Sequence, residues 1–318
     1  MRQSISALFV IFAVLFIPVA ASAPSLNNRA EKASGVVQQS IMIDGLQRSY
    51  YVHFPSVSRT PARLPLVLVL HGGGRGNGLT PARYMGFTAL ADREHFIVAY
   101  PNGVDAFWRD GRDLTFRGDI EGRVDDVAYI SALIDRFVHQ YHVDPKRVYV
   151  TGISNGGMMT LRLGCELSAK LAAIAPIAAN TPRRIYNTCQ PAASLPVLVM
   201  NGTADPLVPY DGGDVRFFRQ RRGKVVSTQE TVLFWRQQNQ CRGMPETRQL
   251  PDRDTGDSSR VTRTIYGSSC PVEMYTVIGG GHTLPGSDLP DLPRILGQKN
   301  RDIDGAAVIW TFFKNHSR

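Results

Sequence analysis

Three stretches of the chain hold residue types that together could open an ester. Val148 to Met159 reads Val-Tyr-Val-Thr-Gly-Ile-Ser-Asn-Gly-Gly-Met-Met, an apolar, β-rich run that ends in Gly152-x-Ser154-x-Gly156 and passes into a helical pattern. A strand, a sharp turn and a helix in that order lift a serine hydroxyl clear of the backbone. Gly152 and Gly156 leave room where a Cβ would clash, and a helix opening at Asn155 aims free N–H groups at negative charge growing beside Ser154. His282, within Gly279-Gly280-Gly281-His282-Thr283, sits on a glycine-rich loop with the freedom to swing its ring, which suits a general base. Asp205, within Gly202-Thr203-Ala204-Asp205-Pro206, would fix that ring's tautomer and stabilise the imidazolium. Asp211 and Asp214 compete for this role by proximity, but they lie in a Gly-Gly turn further from the preceding apolar run. The chemistry implied is attack by Ser154 on a carbonyl carbon, then release of the acyl group by water bound to His282.

Each of these residues needs a strand behind it, and each has one. Leu64–Leu70 is a continuous apolar run, as expected of a strand buried on both faces of a parallel sheet. Further strands are expected at 96–100, 171–178, 195–200 and 272–278, and a hairpin at 40–54 turns at Asp44-Gly45. Helical spacing of apolar residues predicts helices near 81–94, 124–141, 225–239 and 303–313, while the polar stretch 245–260 reads as a loop. Asp125 and Asp126 fall where carboxylates stabilise a helix start. His71-Gly72-Gly73-Gly74 comes directly after the first buried strand. Gly73 or Gly74 could there supply one oxyanion N–H and Asn155 the second, with His71 shaping the loop. Trp108 lies on a loop at the carboxyl ends of the strands. It is a candidate wall of the acyl or alcohol site, with packing on the domain surface as the alternative. The order Ser154, Asp205, His282, each just past a strand, is the triad order of the α/β-hydrolases. The fold class expected is therefore α/β, a mostly parallel central sheet with helices on both faces.

Composition bounds the rest. The chain has 318 residues, 43% of them hydrophobic, enough for one large domain, expected over 41–318. Residues 1–21 have the basic start, short apolar centre and small final residues of a secretory signal, and 22–40 read as a mobile leader. The apolar run is too short to span a membrane, so no anchor is expected. Export makes Cys165, Cys189, Cys241 and Cys270 candidates for two disulfides. Of three possible pairings, the sequential one closes the shortest loops. No cysteine or histidine cluster has metal-site spacing, and neither metal nor cofactor is expected. The formal charge of +9 falls to +8 once Arg2 leaves with the signal. The basic run Arg216, Arg219, Arg221, Arg222 and Lys224 reads as a solvated face, and no nucleic-acid fold signature accompanies it. Asn201-Gly202-Thr203 fits a glycosylation sequon, but its place beside the site argues against modification.

With these residues in view, the chain resembles the secreted poly(3-hydroxybutyrate) depolymerase-like esterases, a family that overlaps the feruloyl esterases. Its carriers are Leu70-His71-Gly72-Gly73-Gly74, Trp108-x-Asp110-Gly111-Arg112, Val124-Asp125-Asp126-Val127, Gly152-Ile153-Ser154-Asn155-Gly156-Gly157-Met158-Met159, Gly202-x-x-Asp205-Pro206-Leu207-Val208-Pro209-Tyr210 and Gly280-Gly281-His282-x-x-Pro285-Gly286. The resemblance implies the triad Ser154, Asp205 and His282 and supports both sequential cysteine pairs. It leads to the expectation of a secreted serine esterase for hydroxyalkanoate oligomers or polymer; a monomer is expected. Feruloyl or acetylxylan esters of plant polysaccharides are the alternative. A binding protein on a hydrolase scaffold belongs to a different class, and the complete set of reactive residues argues against it.

Overall fold

The computed structural model describes residues 35–56, 63–74, 76–112, 124–217, 220–267 and 270–318. The expected signal, residues 22–34 of the expected leader and Arg219 of the basic run lie outside these. Strands β1 (Val37–Ile43) and β2 (Leu46–His53) form the entry hairpin. Its turn residues Asp44 and Gly45 both have positive φ, 46° and 78°, as an Asp-Gly hairpin turn requires. Residues 37–40, read from sequence as the end of the leader, belong to β1 and pair with β2 from Val37 opposite Val52. Gln38, Gln39 and Ser40 concealed this because β1 is an edge strand with no fully buried residue, so no apolar run marks it.

The centre of the sheet is parallel. It comprises β3 (Leu64–Leu70), β4 (Ile97–Pro101), β5 (Val143–Ile153), β6 (Ala173–Ile177), β7 (Val197–Gly202) and β12 (Val272–Ile278). Beyond β12 lie β11 (Arg260–Ile265) and β10 (Glu246–Gln249), both antiparallel. The order across the sheet is β1-β2-β4-β3-β5-β6-β7-β12-β11-β10. β10 replaces part of the expected 245–260 loop; all four of its residues are exposed, so their polarity gave no sign of a strand.

Helices cover both faces. On one side α3 (Asp126–Gln140), α4 (Asn155–Glu166) and α6 (Thr228–Gln238) bury Tyr129, Leu133, Met159, Leu163 and Trp235. On the other, α2 (Phe87–Glu94) and α8 (Gly305–Lys314) bury Phe87, Leu90, Ile309, Trp310 and Phe313. The single helix expected near 81–94 is broken: α1 (Leu79–Tyr84) stops before Gly86, whose φ of 76° cannot continue a right-handed helix. Short α5 (Arg183–Thr188) comes after β6, and α7 (Pro293–Leu296) after β12. The basic run forms a hairpin apart from the main sheet, β8 (Gly213–Phe217) with β9 (Gln220–Val225). Its Val215 and Val225 pack on Met158, Ala179 and Val208, joining it to the start of α4 and to the loop after Asp205.

Both disulfides are sequential. Cys165–Cys189 fastens the end of α4 to the residue after α5, and Cys241–Cys270 closes the segment between α6 and β12. Among the described residues no helix is long and apolar enough to cross a membrane.

Candidate active site

Ser154 stands between β5 and α4 with φ 59° and ψ −121°, a conformation costly for a residue with a Cβ. The turn is held by Ser154 N–H on the Ile177 carbonyl (2.9 Å) and Met158 N–H on the Ser154 carbonyl (2.8 Å). Glycine is obligatory on both sides. A Cβ at Gly152 would lie 2.6 Å from the Gly156 carbonyl oxygen, and one at Gly156 would lie 2.5 Å from those of Leu70 and His71. The helix N-terminus can therefore press against the end of β3.

Asp205 and His282 meet across the ends of β7 and β12, which are neighbours in the sheet. His282 Nδ1 lies 2.7 Å from Asp205 Oδ2, with side-chain exposures of 7% and 3%. The other carboxylate oxygen accepts from Leu207 N–H (2.8 Å) and Val208 N–H (2.9 Å), so both oxygens of Asp205 are engaged. Of its two competitors, Asp211 is exposed and Asp214 pairs with Arg221 at 3.4 Å. Among the described residues no hydrogen bond joins Ser154 Oγ to His282; the contact that is closed is the one to Asp205.

The glycines before His282 do not give it freedom to swing. Gly281 N–H donates to the Gln298 carbonyl (2.7 Å) and His282 N–H to that of Leu296 (2.5 Å). A Cβ at Gly281 would lie 2.1 Å from the Leu296 oxygen. Gly281 allows the end of α7 and the residues just beyond it to clamp the histidine loop.

The loop after β3 comes beside Ser154: a Cβ built on Gly72 would be 3.5 Å from Ser154 Cβ. One built on Gly73 would be 3.2 Å from Asn155 Cβ. Gly74 is excluded as an oxyanion donor because its N–H is committed to the Ala106 carbonyl at 3.1 Å. Of the expected donors, this leaves Gly73 N–H and Asn155 N–H as candidates. His71 is fully buried; Gly103 N–H donates to its Nε2 (2.9 Å), which leaves the proton of the neutral ring on Nδ1, facing the Gly72 carbonyl at 2.8 Å. Burial pushes its pKa down to about 4, which keeps the ring neutral.

Trp108 does not wall the site. It is fully buried, its indole N–H donates to the His71 carbonyl (3.0 Å), and its ring lies against the His71 imidazole with centroids 5.0 Å apart. The Asn155 side chain, whose part the sequence did not reveal, fastens this loop. Its Oδ1 accepts from Trp108 N–H (2.8 Å), and its Nδ2 donates to the Trp108 carbonyl (3.0 Å) and to Asp110 Oδ2 (2.5 Å). Asp110 in turn holds the Arg112 guanidinium at 2.7 Å. Asp126, expected only to stabilise a helix start, is fully buried, pairs with Arg48 at 2.6 Å and accepts from Arg109 N–H at 2.7 Å. The Asn201 side chain is likewise buried and spent on Ala179, Asn180 and Thr228, consistent with an unmodified sequon.

Residues 48–216 match the family model described as Esterase PHB depolymerase. The chain belongs to this family. It is 34% identical over 281 residues to "Putative esterase NocK" of Nocardia uniformis subsp. tsuyamanensis, covering 84% of this chain and 79% of that one. It is 31% identical over 160 residues to Feruloyl esterase B of Piromyces equi, covering 50% of this chain but 29% of that relative's length. Among solved structures, an acetyl xylan esterase from Aspergillus awamori superposes with a TM-score of 0.56 at 16% identity, covering 78% of this chain and 95% of that one. The last likeness concerns the fold, which is that of the α/β-hydrolases. The protein is a carboxylic ester hydrolase of the serine type.

Proposed function

We propose that the protein is an exported, monomeric serine esterase in which Ser154 is the nucleophile, His282 the general base and Asp205 the residue that orients it. The observation that carries this reading is the buried Asp205–His282 pair at 2.7 Å, at the same carboxyl ends of the parallel strands as a serine held at φ 59°. His282 takes the hydroxyl proton as Ser154 Oγ attacks the ester carbonyl, then gives it to the departing alcohol. Water activated by the same ring releases the acid from the acyl-serine. The oxyanion is received by Gly73 N–H and Asn155 N–H; removing one such donor costs about 3 kcal/mol of transition-state stabilisation. Two disulfides support an oxidising compartment, reached by export with loss of residues 1–21. The substrates that best suit the family are hydroxyalkanoate oligomers or polymer. The likeness to a feruloyl esterase favours a second reading, acyl esters of plant polysaccharides.

A substrate panel tests this: p-nitrophenyl butyrate, 3-hydroxybutyrate trimer, amorphous polyhydroxybutyrate, methyl ferulate and acetylated xylan, with Ser154→Ala as control. Turnover of the hydroxybutyrate substrates that disappears in the variant is the expected result. Preference for methyl ferulate or acetylated xylan would move the substrate to plant cell walls, and turnover that survives in Ser154→Ala would defeat the mechanism.

A further inference from the structure

A cleft of about 590 Å³ opens between the Gly111–Arg112 loop, α5 and the β8–β9 hairpin. Among the described residues, five cationic side chains line it, Arg112, Arg183, Arg184, Arg221 and Lys224, against one carboxylate, that of Asp214. Some of these charges are answered: Arg112 by buried Asp110, Arg221 by Asp214 and Arg183 by Glu230 at 3.7 Å. Among the described residues neither Arg184 nor Lys224 has an acidic partner, and both are exposed.

The cleft is joined by a chain of contacts to the loops beside Ser154. Arg112 Nη1 donates to the Arg222 carbonyl (2.8 Å), tying the hairpin to the loop, and the hairpin's Gly223 packs so closely that a Cβ there would lie 2.8 Å from Arg112 Cβ. Asp110, which holds Arg112, also accepts from the Asn155 side chain at 2.5 Å. Arg222 lies 5.9 Å over the Phe107 ring, and that ring fills the space against Gly73. One wall of the cleft therefore shares its supports with both proposed oxyanion donors.

We infer that this cleft binds a free carboxylate carried by the ester substrate and so selects acid-bearing over neutral esters. The inference rests on the esterase mechanism proposed above and deepens it. A hydroxyalkanoate oligomer has such a carboxylate at one end, and an acylated xylan has it on uronate branches. Concave surroundings of one sign concentrate an oppositely charged group. A guanidinium and an ammonium without carboxylate partners among the described residues leave donors open for charge-assisted hydrogen bonds.

The test compares kcat/KM for 3-hydroxybutyrate trimer as free acid and as methyl ester, in the parent enzyme and in the double variant Arg184→Gln/Lys224→Gln. A parallel arm uses acetylated glucuronoxylan and its carboxyl-reduced form. The ratio is internal to each enzyme, so a general loss of activity cancels. A preference for the acid of about tenfold, collapsing toward unity in the variant and in high salt, is expected in the arm that carries the natural carboxylate. Ratios near unity in both arms, or ratios the variant leaves unchanged while p-nitrophenyl butyrate is still turned over, would overturn the inference. Absence of serine-dependent turnover of p-nitrophenyl butyrate would instead overturn the mechanism beneath it.

Discussion

His71 and Asp205 show how differently two buried titratable residues are used. The His71 ring is neutral because it is buried and one nitrogen already accepts a hydrogen bond from Gly103. Its pKa of about 4 lies below the value of about 6.5 expected for an unfolded chain. The unfolded state thus takes up a proton that the folded state refuses. Stability from this group is complete above pH 6.5, falls as pH drops from 6.5 toward 4, and changes no further below that. The loss across this window is on the order of 3 kcal/mol. The ring resonance of His71, tracked by NMR in the intact protein, should therefore stay flat from pH 8 to 5; titration near 6.5 would contradict the burial argument. For Asp205 the decisive change is to Asn. The amide keeps an oxygen for Leu207 and Val208 but presents N–H₂ to His282 Nδ1, which favours the wrong tautomer for a base. We predict a drop in kcat of roughly 10⁴-fold for Asp205→Asn, with little change in thermal midpoint. A loss of less than tenfold would mean that another carboxylate orients the ring.

At the level of elements, periodicity makes the buried strands readable from the sequence, whereas contacts across loops leave no trace in it. β3, β5 and β7 announce themselves as apolar runs because both faces of the sheet are covered, and β12 by alternation, so the candidate triad Ser154, Asp205 and His282 is legible from its places just past strands. Edge strands β1 and β10 bury too little to leave a pattern. Residue type also does not say which way a loop turns, so Trp108 looked available to substrate although it packs beneath the loop after β3. The same holds for Asp126, whose carboxylate joins the start of α3 to Arg48 on β2 and to the loop bearing Trp108. Asp126→Ala would leave the Arg48 guanidinium, 3% exposed, without its partner. The expected cost is about 3–5 kcal/mol of stability, read from urea unfolding. Activity should fall as well, because the Trp108 loop supports the Asn155 side chain. A variant as stable as the parent would show that water can replace this pair.

For the molecule as a whole, the two disulfides separate global stability from support of the site. Cys165–Cys189 encloses a separation of 24 residues and Cys241–Cys270 one of 29, so restriction of the unfolded chain is nearly the same for each, about 3 kcal/mol. On that argument, replacing either pair by serine should lower the thermal midpoint by similar amounts, roughly 5 °C for a domain of this size. Their places in the fold differ. Cys165 lies on α4, whose first residue is next to Ser154, and Cys189 fixes the end of α5, which carries Arg184 of the basic cleft. Cys241 and Cys270 brace the outer end of α6 and the approach to β12, away from the strand ends that carry Ser154 and His282. The two variants should therefore have matching midpoints and different kinetics at about 25 °C. Cys165→Ser/Cys189→Ser should lose its selectivity for acid-bearing esters, while Cys241→Ser/Cys270→Ser should keep the parent's kcat and selectivity. Equal kinetic losses in both would mean that the bridges act only through global stability and that α5 needs no covalent tether to shape the cleft.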